Sequence, residues 1–150
     1  GDFVFLEQCI METLRMISHT LGSMRLVKQP WVIGDYCIPP GYFVGVSHVA
    51  NSYDEAIFPE PEVFNPDRWT NLNEKELEKQ GLFTPFSGGS HKCPGRNFGV
   101  MLVKLMFISF LEYVDVSSLT FSPSPLSPLT WKRQALAERK HPCSVSFCPK

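Results

Sequence analysis

The amino-acid sequence predicts a mixed α/β fold, mainly helical, and three observations carry that expectation. An apolar, helix-like stretch runs from Pro94 to Val114, and a second helix-spaced pattern covers Phe5 to Met16. Four short apolar runs surround a Pro-Pro-Gly turn at residues 39–41. The 150 residues suffice for one modest domain, and a hydrophobic share of 43% excludes disorder and little else.

In the first helix Leu6, Ile10 and Leu14 recur at helical spacing beside Cys9 and Met16, with Glu7, Glu12 and Arg15 between them. The runs Met24–Val27, Trp31–Ile33, Tyr36–Ile38 and Tyr42–Val46 then predict a small β-sheet, since proline followed by glycine marks a turn. A short helix is expected near Ser47–Ser52. Pro59, Pro61 and Pro66 interrupt the next stretch too often for a long element. Asn73–Gln80 is charged apart from Leu77 and reads as a solvated helix or loop. Pro94 opens the last helix near its first turn, where a missing N–H costs little. That helix is apolar on nearly every side, so it is expected to be buried; Lys104 interrupts it and Glu112 closes it, which argues against a membrane span. Two weak strand signals, Leu129–Arg133 and Cys143–Phe147, finish the chain, and there is no internal repeat.

Fourteen basic and fifteen acidic residues leave a net charge of −1, so no whole-chain argument points to nucleic acid. Five irregularly spaced cysteines without a Cys-x-x-Cys pair argue against a disulfide framework or zinc ribbon. The chain opens on Gly1 without a recognisable signal peptide or anchor and is expected to be a fragment.

The chemistry-bearing run is Phe86-Ser87-Gly88-Gly89-Ser90-His91-Lys92-Cys93-Pro94-Gly95. A glycine-bearing loop here delivers one cysteine to the start of an apolar helix, where unpaired N–H groups and the helix dipole favour a thiolate. Glycines at 88, 89 and 95 let the backbone approach a flat cofactor, and Phe86 is placed to shield the sulfur. His91 and Arg96 suit carboxylates. A lone cysteine at a loop end is ordinarily a structural thiol.

Phe86, Gly89, His91, Cys93 and Gly95 match every fixed position of F-x-x-G-x-[R/H]-x-C-x-G, and in this the sequence resembles the cytochrome P-450 superfamily. Glu12-Thr13-Leu14-Arg15 is similar to its E-x-x-R helix motif, and Phe64-Asn65-Pro66-Asp67-Arg68-Trp69 to its P-x-R loop. The resemblance implies the C-terminal part of that fold over residues 1–150: a small β-sheet, a cysteine-ligand loop and a long buried helix, with the distal half outside the chain. It implies haem b, with Cys93 as the iron ligand. Phe86, Gly89 and Gly95 would shape the cofactor site, and Arg25 and His91 would hold the propionates. Glu12, Arg15 and Arg68 would form a partly buried structural network rather than a catalytic one.

A thiolate ligand favours O–O cleavage, so the implied activity is a monooxygenase acting on a lipophilic, loosely sterol-like substrate with O2. An electron-donating reductase would meet the proximal face near Lys92, Arg96 and Lys104. Kinship implies attachment to the endoplasmic reticulum membrane for a eukaryotic parent, through an anchor outside this chain, and otherwise the cytoplasm. Two departures are visible. Gly99 stands where the family usually has alanine, and Met16-Ile17-Ser18-His19-Thr20 replaces a leucine-x-proline-proline run that lines substrate in relatives. Two further readings share the motif: a peroxide-rearranging haem-thiolate isomerase, and a catalytically inert truncated product.

Overall fold

The computed structural model describes residues 3–17, 22–122, 131–133, 137–139 and 144–150. Its helices are α1 (Val4–Met16), α2 (Glu74–Lys79) and α3 (Arg96–Tyr113). Its strands are β1 (Gly22–Leu26), β2 (Trp31–Ile33), β3 (Tyr36–Ile38), β4 (Phe43–Ser47), β5 (Thr120–Ser122), β6 (Trp131–Arg133), β7 (Ala137–Arg139) and β8 (Ser144–Ser146).

Helical periodicity places α1 and α3 within two or three residues of their observed limits. The short helix expected near Ser47–Ser52 is a 3-10 turn at Asn51–Tyr53. The charged stretch becomes α2, whose N-cap Asn73 accepts hydrogen bonds from the N–H groups of Lys75 and Glu76. The expected small β-sheet takes the form of two antiparallel ladders, β1 with β4 and β2 with β3. Gly34, at φ +56°, turns the β2–β3 hairpin. Gly41, at φ +92°, then returns the chain so that Val27 and Tyr42 extend the β1–β4 ladder around it. At Gly22 a Cβ would stand 2.3 Å from the Val46 carbonyl oxygen, so β1 approaches β4 too closely for any side chain there. Near the end of the chain β6 and β8 fall on the two expected strand signals; residues 129, 130 and 143 lie outside the described ones. Their partners β7 and β5 carry no signal of their own.

The core joins Ile10 and Met11 of α1 to Phe58, Trp69 and Phe83 from the proline-punctuated segment and the loop after α2. The three rings meet at centroid distances of 4.8–6.3 Å in tilted and edge-on arrangements, which aromatic pairs favour over flat stacking. Leu6, Leu14, Leu72, Leu77 and Val100 pack around this cluster.

The long helix α3 forms where expected, but it is not buried. No residue of it is fully covered, and Phe98 and Met106 are each 64% exposed. A helix apolar all round needs neighbours all round. The described residues supply only strips of cover: the core at Val100, Phe147 against Phe110, and an ion pair from Glu7 to Lys104. No helix among the described residues is long and apolar enough to cross a membrane. An open apolar face of this kind drives association. Residues 1–150 expressed alone are expected to elute as oligomers in size-exclusion chromatography, and Met106→Glu with Phe107→Glu to shift them toward the monomer. A monomeric wild type would show that the face is covered in solution.

Candidate functional site

Two sites are built on opposite faces of α1. The first is a buried carboxylate. Glu12 is fully inaccessible and accepts five hydrogen bonds: from Arg15 Nη2, Arg68 Nε and the Asn65 N–H on Oε1 at 2.9–3.0 Å, and from Arg15 Nε and Trp69 Nε1 on Oε2 at 3.1 and 2.9 Å. Burial alone would raise the Glu12 carboxyl. The hydrogen bonds from Arg15, Asn65 and Trp69, together with the Arg15 charge, bring it below its ordinary value of 4.5.

Arg15 is equally buried and also donates to the carbonyls of Ser52 at 2.6 Å and Pro61 at 2.8 Å, while its guanidinium lies 5.4 Å from the Phe58 ring centroid. Arg68 donates to the carbonyls of Pro59, Glu60 and Val63. A segment too rich in proline to satisfy its own carbonyls is thus held by two guanidinium groups that share one carboxylate. Trp69 belongs to this cluster as well; its place in the motif gave no hint that its N–H ends on Glu12.

The second site is a cleft of about 540 Å³ lined by Leu14, Gly22, Ser23, Arg25, His48, Pro85, Phe86, Ser87, His91 and Cys93. Four of the expected cofactor residues, Arg25, Phe86, His91 and Cys93, therefore meet in one cavity. Gly89 and Gly95 do not line it; they shape its loop. Gly89 adopts φ +61° at the start of a 3-10 turn through His91, and the Cys93 N–H closes the loop on the Phe86 carbonyl at 2.9 Å. Gly95 is the N-cap of α3, with no side-chain hydrogen bond capping the helix, so the dipole end faces the Cys93 segment uncapped. A Cβ at Gly95 would stand 3.7 Å from the Cys93 sulfur, an ordinary contact, so glycine there opens space rather than relieving a clash.

The donor set decides what the cleft suits. It offers one exposed thiol, and no group of three metal-ligating side chains exists among the described residues. A bare metal ion would be under-coordinated here. A metal whose remaining in-plane ligands come with a macrocycle needs only the one sulfur, and carboxylates on that macrocycle would meet Arg25 and His91. The cleft therefore fits haem.

Three side chains lining the cleft had carried no functional expectation. Ser23, His48 and Ser87 are hydrogen-bonded to one another and to Thr84. Burial, and secondarily the Arg25 charge, lower the His48 imidazole from its ordinary 6.5, so the ring is neutral at neutral pH. A lone histidine in a Ser- and Val-rich strand end has no spacing pattern to mark it.

The basic residues of the expected docking face are each engaged. Lys92 pairs with Glu78 at 2.5 Å, Arg96 with Glu74, and Lys104 with Glu7 at 2.8 Å. The free positive charge expected there is largely neutralised by α1 and α2. Among the described residues, Cys9, Cys37, Cys93 and Cys148 are free thiols.

The fold and the thiol-bearing cleft define a haem-binding protein, and comparison with known proteins gives its class. The family model for cytochrome P450 matches residues 2–145, and the chain belongs to that family, whose cofactor is haem b. It is 36% identical to lanosterol 14-alpha demethylase of Mus musculus over 114 residues, 76% of this chain and 22% of that protein. It is also 36% identical to ent-kaurenoic acid oxidase 1 of Arabidopsis thaliana over 107 residues, 71% of this chain and 21% of that one. The structure of cyanobacterial CYP120A1 with retinoic acid bound matches 97% of this chain and 33% of its own, at TM-score 0.82 and 24% identity, and establishes the shared fold. The chain thus spans about a fifth of the length of the curated relatives it matches.

Removing the Glu12 charge leaves two guanidinium groups without their shared partner. Glu12→Gln in the full-length protein is expected to lower unfolding stability by about 3–5 kcal/mol, read from the denaturant midpoint. An unchanged midpoint would deny the cluster its structural weight. The sign of its pH dependence follows from the lowered folded value. The carboxylate's contribution is complete above 4.5 and is lost as pH falls through the folded value, so Glu12→Gln should flatten the acid limb of a stability–pH curve.

Proposed function

We propose that this chain is the iron-ligating portion of a haem-thiolate monooxygenase in which Cys93 would hold the haem iron. The observation that carries the reading is the single cleft where Cys93, Phe86, Arg25 and His91 converge beside the uncapped start of α3. Haem bound there would supply oxygen activation and C–H oxygenation.

The chain's own residues bind and orient it. Cys93 gives the thiolate, and the free N–H groups at the start of α3 stabilise its charge. Phe86, with the Arg96 guanidinium 5.9 Å from its ring centroid, lines the cleft beside Cys93 and would shield the sulfur with haem in place. Arg25 and His91 would hold the cofactor carboxylates. Glu12, Arg15 and Arg68 hold the segment that packs against α1, a folding role rather than a catalytic one.

A lipophilic, sterol-like substrate is supported by likeness to lanosterol 14-alpha demethylase. An electron-donating reductase would approach the face carrying Lys92 and Arg96, exchanging their pairs with Glu78 and Glu74 for carboxylates of its own. The relatives on which the reading leans are a demethylase and an oxidase by name, which favours oxygenation over peroxide rearrangement.

The test is the absorption spectrum of the reduced, carbon-monoxide-bound full-length protein. A red-shifted Soret band that Cys93→Ala abolishes is the expected result. A well-folded protein without that band, or one that keeps it in Cys93→Ala, would remove the assignment.

A further inference from the structure

Four polar side chains that cofactor binding leaves unused form one chain of hydrogen bonds beside the cleft. Ser87 Oγ lies 3.2 Å from Ser23 Oγ, Ser23 Oγ lies 2.9 Å from His48 Nε2, and His48 Nδ1 lies 2.8 Å from Thr84 Oγ1. Ser23 sits on β1 and His48 directly follows β4, so one end of the chain is anchored in the β1–β4 ladder. Thr84 and Ser87 are the two ends of a single turn, closed by the Ser87 N–H on the Thr84 carbonyl at 3.0 Å. That turn carries Phe86, whose carbonyl accepts the Cys93 N–H.

A neutral imidazole has one donor and one lone pair, so every member of such a chain is satisfied with the hydroxyls aligned in one direction. Burial of His48 makes leaving either nitrogen unpaired costly. Ser87 has φ +61°, a conformation that disfavours any residue with a Cβ, and its bond to Ser23 helps to hold it there. Ser23 and Arg25 lie two apart on β1, on the same face of the strand. The hydrogen-bond chain therefore joins the strand bearing the carboxylate-binding arginine to the turn from which the cysteine loop is hung.

We propose that His48, with Ser23 and Thr84, is a positioning residue that clamps the cysteine loop to the β1–β4 ladder and so fixes the Cys93 sulfur relative to Arg25 across the cleft. The inference rests on Cys93 as the iron ligand. Its consequence is kinetic: a loop freed from the ladder lets the sulfur leave the iron more readily while the rest of the fold stays in place.

The experiment compares His48→Ala, Ser23→Ala and Thr84→Val in the haem-loaded full-length protein. It follows the rate at which the reduced carbon monoxide complex loses its thiolate-ligated Soret band in mild denaturant, with haem content and far-UV circular dichroism recorded alongside. Each variant is expected to lose the band roughly tenfold faster at unchanged helicity, the effect of one buried hydrogen bond. The double variant His48→Ala with Thr84→Val should be little faster than His48→Ala, because both act through the same chain. Wild-type rates in Ser23→Ala and Thr84→Val overturn the proposal, whatever His48→Ala does to folding. Haem loss without faster band loss overturns it too, by assigning the cluster to packing alone. A band that survives Cys93→Ala would instead sink the ligand assignment beneath it.

Discussion

The structure depends on one buried negative charge. Glu12 has no access to water, and a carboxylate in that position is tolerable only when its oxygens are fully engaged. Five donors from α1, the proline-rich segment and the turn beginning at Pro66 meet that demand, and each donor is fixed by the demand in turn. Residues 59–69 contain no α-helix or strand, so their carbonyls have few backbone partners. Arg15 and Arg68 make five hydrogen bonds to four of those carbonyls, and could not be brought so close without a shared counter-charge. The irregular segment is ordered by side chains where secondary structure cannot order it.

That order reaches the cleft through α1. Glu12 and Arg15 fix the helix against the meandering segment, and Leu14, between them in sequence, both packs on the aromatic core and lines the cavity holding Cys93. The same core includes Phe83, which immediately precedes Thr84 and the turn carrying Phe86. The charge cluster and the cysteine loop are thus two ends of one packed unit, although they share no hydrogen bond. A change at Glu12 acts on the cleft by loosening its wall, and it removes none of the side chains that line it.

The sequence made local patterns more legible than long-range partners. The cysteine loop could be read because its glycines, cysteine and helix start lie within ten consecutive residues, and local spacing survives without knowledge of the fold. Glu12 and Arg15 were legible as an i,i+3 pair, and Arg68 only by likeness to a family motif, since nothing in its neighbourhood marks it for a partner 56 positions away. The Ser87–Ser23–His48–Thr84 chain joins β1, the end of β4 and one turn of the cysteine loop through isolated residues, so periodicity and motif were blind to it. Strand pairing was not legible for a related reason. The apolar runs around residues 39–41 identify strands, but the positive-φ glycines at 34 and 41 shape the turns that bring β2 against β3 and β1 against β4.

Helix α3 marks the limit of inference from composition. All-round apolarity states what a helix requires, not what it has, and here the requirement is unmet along most of its length. Two of its covered positions serve the cleft: Val100 reaches the core that holds α1, and Arg96 lies over Phe86. The bare residues Met101, Leu105 and Met106 lie beyond that first turn. The part of α3 that presents the cysteine loop is therefore secured by neighbours close to the site. The apolar positions that stay bare, Phe98 of the first turn among them, call for cover from outside the described residues.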